Sequence, residues 1–174
     1  MPTIVLVRHG RTSANEQGIL AGRSPGVTLD EVGQSQATTL ATRLSTVPFA
    51  TIVTSPLERT RETAAHIHAQ QGQNASEVVV DERFIECDYG TWTGQSLATL
   101  AKESLWKQVQ SHPSAVTFPD GESLMAMGMR AVAAIREWNQ QSSDADVLAV
   151  ISHGDVIKAV LADALGMHLD AFQR

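Results

Sequence analysis

The sequence predicts an α/β protein, a three-layer α/β/α sandwich around a mostly parallel sheet, and three observations carry that reading. Short β-branched runs alternate with segments of helical period along the whole chain, the pattern of strands joined by crossover helices. Two of the runs, Thr3 to Val7 and Val147 to Ile151, stop abruptly at a histidine followed by glycine, in Arg8-His9-Gly10 and Ser152-His153-Gly154. A strand that ends this way delivers an imidazole to the carboxyl end of a sheet, where glycine lets the backbone turn or a ligand come close. Finally, 174 residues at 43% hydrophobic suit one core and one domain spanning 1–174.

The elements follow in order. After the first strand, a Gly-rich loop is expected from Gly10 to Val27, and Thr28-Leu29-Asp30-Glu31 reads as a capping box opening a helix with Ala37, Leu40, Ala41 and Leu44 on its apolar face. A second strand, Thr51 to Thr54, runs into Ser55-Pro56-Leu57-Glu58, where Ser55 is the expected cap and Pro56 the first helical residue, which puts Arg59 in the opening turn. Val78 to Val80 is a third strand, followed by an irregular segment from Asp81 to Gly94. One helix is expected from Leu97 to Val109. Asp120-Gly121-Glu122 opens another, burying Leu124, Met127, Ala131, Ile135 and Trp138. The fourth strand ends at His153, and Val156, Ile157, Val160, Leu161 and Leu165 line a last helix that Gly166 terminates.

Composition narrows the function. A net charge of −6 and a pI near 5.4 argue against affinity built on neutralising nucleic-acid phosphates or anionic lipid; a small-molecule partner fits better. Cys87 is the single cysteine, so no internal disulfide forms, no zinc spacing exists and a reducing cytoplasm is the expected compartment. No cleavable leader or membrane-spanning segment is legible. His66 and His68, two residues apart on one helix, face different sides and make no metal pair. No Gly-x-x-x-x-Gly-Lys loop is present, so a P-loop is excluded, and position 93 is Thr where a cysteine phosphatase built on Cys87 needs arginine. Neither a metal nor a cofactor is expected.

The chemistry gathers at strand ends. Two histidines side by side, with Arg8 beside the first and Arg59 at the end of another strand, make a site for a phosphoryl group, whose oxygens a guanidinium binds bidentately. Taken alone, each histidine has an ordinary structural reading, Arg59 an ion pair with Glu58 or Glu62, and Glu86 a solvated loop position. Burying arginine charges at one locus is expensive without an anion, so the cluster needs either carboxylates or a phosphoryl group.

Five motifs in order, from Val7 to Asp155, carry a resemblance: Arg8-His9-Gly10 with Asn15 five residues past the glycine, Ser55 to Thr63, Glu86 to Gly94, Gly121-Glu122-Ser123 and Ser152-His153-Gly154. The chain resembles the histidine phosphatase superfamily, with its phosphoglycerate mutase-like fold, and most closely its "probable phosphomutase" branch. The resemblance implies a metal-independent phosphatase acting on a small phosphorylated metabolite. In it His9 is the nucleophile that forms a phosphohistidine, and Glu86 is the acid that protonates the leaving group. Arg8, Arg59 and His153 cover the phosphoryl oxygens, Asn15 adds an amide donor and Gly22 lines the mouth. Neighbouring arginine charge is expected to hold His9 neutral, and a partly closed loop to raise the pKa of Glu86. Tyr89 and Trp92 read first as anchors of their loop and second as pocket walls.

Two other functions stand beside this one. The first is a phosphoglycerate mutase-like phosphomutase, disfavoured because family mutases carry extra basic residues after the acid, where this chain has only Lys102 and Lys107. The second is a catalytically weak phospho-ligand-binding protein. Family members usually continue past the last helix with one or two further strands, whereas this sequence stops at Arg174. The expectation is therefore a C-terminally shortened domain whose first strand lies on an open edge, which invites pairing with another chain, a homo-oligomer.

Overall fold

The computed structural model describes residues 1–72 and 77–173; Arg174 lies outside the described residues. Four strands, β1 (Thr3–Arg8), β2 (Phe49–Thr54), β3 (Val78–Val80) and β4 (Val147–Ser152), form one sheet in the order β1-β4-β2-β3. All three pairings are parallel. The strand β4 takes an inner position, and from Leu148 to Ser152 every residue is buried, as a parallel strand covered on both faces requires.

Side chains alternate between two cores. Ile4, Leu6, Val53 and Val150 face one, while Val5, Val7, Ile52, Ala149 and Ile151 face the other, so each face needs its own helical cover. Helices α2 (Glu31–Leu44) and α3 (Glu58–Gln70) pack together on the second face, whereas α6 (Leu124–Gln141) and α7 (Gly154–Ala164) cover the first. The three-layer sandwich is the predicted one, and β1 stands at an edge of the sheet among the described residues.

Local structure departs from expectation at several points, among them the start of α6, which Ser123 caps just past the expected Asp120-Gly121-Glu122 opening. The loop from Gly10 to Val27 contains a short helix, α1 (Ser13–Glu16), capped by Thr12. The cap of α2 is Asp30, whose carboxylate accepts from Gly33 N at 2.7 Å; Thr28 forms no capping box because the helix starts three residues beyond it. Helix α3 begins at Glu58, with Leu57 and not Ser55 at its cap, and the apolar Leu57 side chain makes no cap bond. The single helix expected over 97–109 is two, α4 (Leu97–Leu100) and α5 (Ser104–Ser111). On α7, Val156 and Val160 are buried, but Leu161 and Leu165 are exposed; they lie on the solvent side of that helix.

Tight backbone packing at the sheet's carboxyl end depends on glycine. A Cβ on Gly10 would come within 2.6 Å of the Gly33 carbonyl oxygen, so the chain leaving β1 passes directly beneath the first turn of α2. That approach fixes the direction of the segment carrying His9.

Candidate active site

Parallel pairing of β1 with β4 sets Arg8 against Ser152, so the next residues, His9 and His153, emerge together. Their rings lie 5.3 Å apart, edge to face at 60°. Nδ1 of His9 is 2.7 Å from the Gly10 carbonyl. A carbonyl only accepts, so the proton sits on Nδ1 and Nε2 carries the lone pair. Burial, more than the charges of Arg59 and Arg8, pulls the His9 pKa down to about 4 against the opposing effect of the Gly10 bond. The imidazole is neutral at pH 7, as expected, but desolvation leads over arginine charge.

The first turn of α3 brings Arg59 to the same place. Its side chain is 2% exposed; Nε donates to His9 Nε2 at 3.3 Å and Nη2 to the Gly22 carbonyl at 2.8 Å, while Nη1 is buried with no hydrogen-bond partner. Glu58 and Glu62 instead accept from Gly26 N and Leu29 N, so the ordinary ion-pair reading of Arg59 is overturned. Burial lowers the Arg59 pKa more than the charges of Glu86 and Glu58 raise it. This guanidinium is held in the protein at a cost.

His153 is fully buried. The Ser55 hydroxyl lies 2.7 Å from its Nε2. Nδ1 has no hydrogen-bond partner and lies 3.8 Å from Glu86 Oε2. Burial, then Arg59, holds the His153 pKa well below the usual histidine range. Glu86 accepts from Cys87 N at 2.9 Å, and burial followed by the charge of Asp155 raises its pKa to about 7. A carboxyl group poised there exchanges a proton readily near neutrality.

Arg8, His9, Asn15, Gly22, Arg59 and Glu86 all line one cavity of about 210 Å³, with His153 buried against it. Arg8 is exposed at the rim, its Nε near Gly154. The Oδ1 of Asn15 accepts from Thr12 N and Oγ1, so Nδ2 is the end of the amide that the capping box does not use. Tyr89 both walls the cavity and anchors its loop, donating to Asp155 Oδ2 at 2.8 Å and stacking edge to face on Phe118; buried Trp92 packs against Trp106 and Phe118. Ile19, Leu20, Ala21 and Leu97 give the mouth an apolar side, and Lys158 sits at its rim. Lys102 and Lys107 are not among the lining residues.

Several functional neighbours escaped the sequence reading. Ser55 was assigned to a helix cap, and Asp155, Lys158 and Arg23 were not singled out. A signal existed for Asp155, which follows Ser152-His153-Gly154 and falls in the first turn of α7. Among the described residues, no group of three or more His, Cys, Asp or Glu side chains is placed to hold a metal ion, and no helix is long and apolar enough to cross a membrane.

An all-parallel α/β sandwich with two histidines and a buried arginine at its carboxyl edge is an architecture for anion chemistry, and similarity to known proteins gives the class. Residues 4–174 match the histidine phosphatase superfamily (branch 1). Phosphoserine phosphatase 1 of Hydrogenobacter thermophilus is 32% identical over 180 residues, covering 99% of this chain and 80% of that protein. A Yersinia enterocolitica protein named probable phosphoglycerate mutase GpmB is 31% identical over 176 residues, covering 100% and 80%. The solved structure of Bacillus stearothermophilus YhfR superimposes with a TM-score of 0.90 at 26% identity, over 99% of this chain and 84% of that one. The chain belongs to the histidine phosphatase superfamily, and it is an enzyme of the phosphatase or phosphomutase kind.

Proposed function

We propose that this enzyme is a metal-independent phosphatase for a small phosphorylated metabolite, working through a phosphohistidine on His9. The observation that carries the reading is a neutral nucleophile beside two buried donors without partners. Nε2 of His9 holds a lone pair, now accepting from Arg59 Nε, and among the described residues Arg59 Nη1 and His153 Nδ1 make no hydrogen bond. A phosphoryl oxygen would satisfy both donors, which otherwise cost about 1–3 kcal/mol each, and more for a charged group.

In the first step Nε2 of His9 attacks phosphorus in line, the bond to the ester oxygen breaks, and protonated Glu86 gives its proton to the departing alkoxide. In the second step the Glu86 carboxylate takes a proton from water. That water's oxygen attacks phosphorus, and the N–P bond breaks to release inorganic phosphate and restore His9. Arg8, Arg59 and His153 would hold the equatorial oxygens as charge spreads over them, His153 through Nδ1–H with Ser55 donating to Nε2. Asn15 Nδ2 and the Gly22 segment would complete the mouth. Among substrates, the relatives' names point first to phosphoserine and phosphoglycerate. The lone, buried Cys87 is in keeping with a reducing cytoplasm.

A phosphomutase is the second reading, favoured by the GpmB relative and opposed by the absence of Lys102 and Lys107 from the cavity wall. The test is product analysis. Purified enzyme should release phosphate from p-nitrophenyl phosphate and phosphoserine, and His9→Ala should abolish that release. Isomerisation of 3-phosphoglycerate faster than phosphate release would replace the phosphatase with the mutase; tight binding without turnover would leave only a phospho-ligand-binding protein.

A further inference from the structure

The Gly22-Arg23 dipeptide faces both halves of the proposed chemistry. On one side the Gly22 carbonyl accepts from Arg59 Nη2 at 2.8 Å, and Arg59 Nε reaches His9 Nε2. Gly22 sits at φ +51, a conformation that costs glycine little and lets the next side chain turn away from its carbonyl. On the other side Arg23 Nε donates to the Glu86 carbonyl at 2.8 Å and Nη2 to Glu122 Oε1 at 2.8 Å. Nη1 is 3.7 Å from Asp88 Oδ2.

Glu122 and Arg130 brace the same loop from behind. Glu122 Oε1 also accepts from Asp88 N at 2.9 Å and from Arg130 Nη2 at 2.6 Å, and Arg130 Nη1 donates to the Arg83 carbonyl at 2.7 Å. The loop from Arg83 to Asp88 is thus fixed to α6 whether or not Arg23 is present. Arg130 Nη2 also reaches the Glu86 carbonyl, at 3.2 Å, and Ser152 Oγ on β4 holds the Phe84 carbonyl at 2.8 Å, but among the described residues Arg23 is the side chain that joins the Glu86 carbonyl to the Gly22 segment holding Arg59.

We infer that Arg23 is a positioning residue: through the Glu86 carbonyl on one side and Gly22–Arg59 on the other, it sets the acid's distance from the nucleophile. The inference rests on the roles of His9 and Glu86 proposed above. A misplacement of about 1 Å between such groups costs on the order of 100-fold in rate. The loss falls on substrates whose leaving group needs a proton, because a well-stabilised phenolate departs without one.

The experiment compares kcat/KM for β-glycerophosphate and p-nitrophenyl phosphate in wild type, Glu86→Gln, Arg23→Met and Arg23→Lys. That ratio reports steps up to loss of the leaving group, before the shared phosphohistidine is hydrolysed. Arg23→Met should lower the β-glycerophosphate value about ten- to a hundredfold and the p-nitrophenyl phosphate value at least tenfold less, repeating the selectivity of Glu86→Gln in milder form. Vanadate inhibition should stay within about threefold of wild type. Arg23→Lys keeps a charge beside Glu122 but cannot also reach the Glu86 carbonyl, and should show an intermediate selective loss; it decides the matter if Arg23→Met does not fold. Equal losses on both substrates, or none, would overturn the inference while a selective Glu86→Gln left the acid assignment standing. A Glu86→Gln variant without selectivity would remove the acid assignment itself and the inference with it.

Discussion

Replacing Arg59 with Met should leave stability nearly intact while abolishing anion binding, and the reason lies in what surrounds the guanidinium. It makes two hydrogen bonds, to Gly22 O and His9 Nε2. Removing them sacrifices about 3–6 kcal/mol if each has the value of a bond to a charged group. Against this, Arg59 forms no salt bridge among the described residues, and burial outweighs nearby carboxylates in its titration. Taking a buried charge away recovers several kcal/mol of desolvation, and Met fills much of the same volume. The net change should lie within about 2 kcal/mol of zero, which for a domain of this size is a shift of about 4–8 °C or less in Tm. Differential scanning fluorimetry with inorganic phosphate then separates the readings. At a phosphate concentration of about 100 Kd the wild type gains about 2.7 kcal/mol, or about 5–11 °C, and the variant should gain nothing. Its kcat/KM should fall about 10²–10³-fold, the usual loss for one donor to a developing oxyanion. A loss of about 3–5 kcal/mol in stability, with the phosphate response retained, would show that Arg59 is a satisfied structural charge and refute the reasoning.

Further outcomes follow from the same geometry. The first chemical step needs neutral His9 and protonated Glu86, so kcat/KM for an alkyl phosphate should rise with pH through about 4 and fall through about 7; Glu86→Gln should flatten the alkaline limb of the pH–rate profile. The raised Glu86 pKa also bears on folding. Its contribution is fully present below the ordinary value of 4.5 and is lost as pH rises through about 7, so Glu86→Gln should raise Tm at pH 8 relative to wild type and change it little at pH 4. Cys87 is buried and burial pushes its thiol well above the usual range; iodoacetamide should neither label the folded protein nor inhibit it, as intact-mass measurement would show.

His9 and His153 were legible because each signal is local, a β-branched run that halts at His-Gly, and parallel pairing then brings the two together. Arg59 and Glu86 were reachable through motif order and Gly22 only through the resemblance, and their convergence in one cavity follows from all being at carboxyl ends or in the loops above them. What escaped depends on contacts distant in sequence. Ser55-Pro56-Leu57-Glu58 has the spacing of a capping box, yet the helix starts only at Glu58 with Leu57 at its cap, and the Ser55 hydroxyl pairs with His153, 98 residues away, a partner no local pattern reveals. Helical periodicity runs on from Leu97 to Val109 and gives no warning of the break before Ser104, where Glu103 caps a new helix. Leu161 and Leu165 read as part of the apolar lining of the last helix, but among the described residues both are exposed. Nothing local marks Arg23; its partners, Glu86 and Glu122, lie 63 and 99 residues away.

The proposed catalysis requires phosphorus to become bonded to Nε2 of His9. Rapid quenching of the enzyme with a slowly hydrolysed phosphomonoester at alkaline pH, followed by peptide mass mapping, tests this directly. One phosphoryl group per chain, stable to base, labile to acid and located on the peptide containing Arg8-His9-Gly10, is the predicted result. Undiminished turnover in His9→Ala, or a phosphoryl group mapped to any other residue, would contradict it.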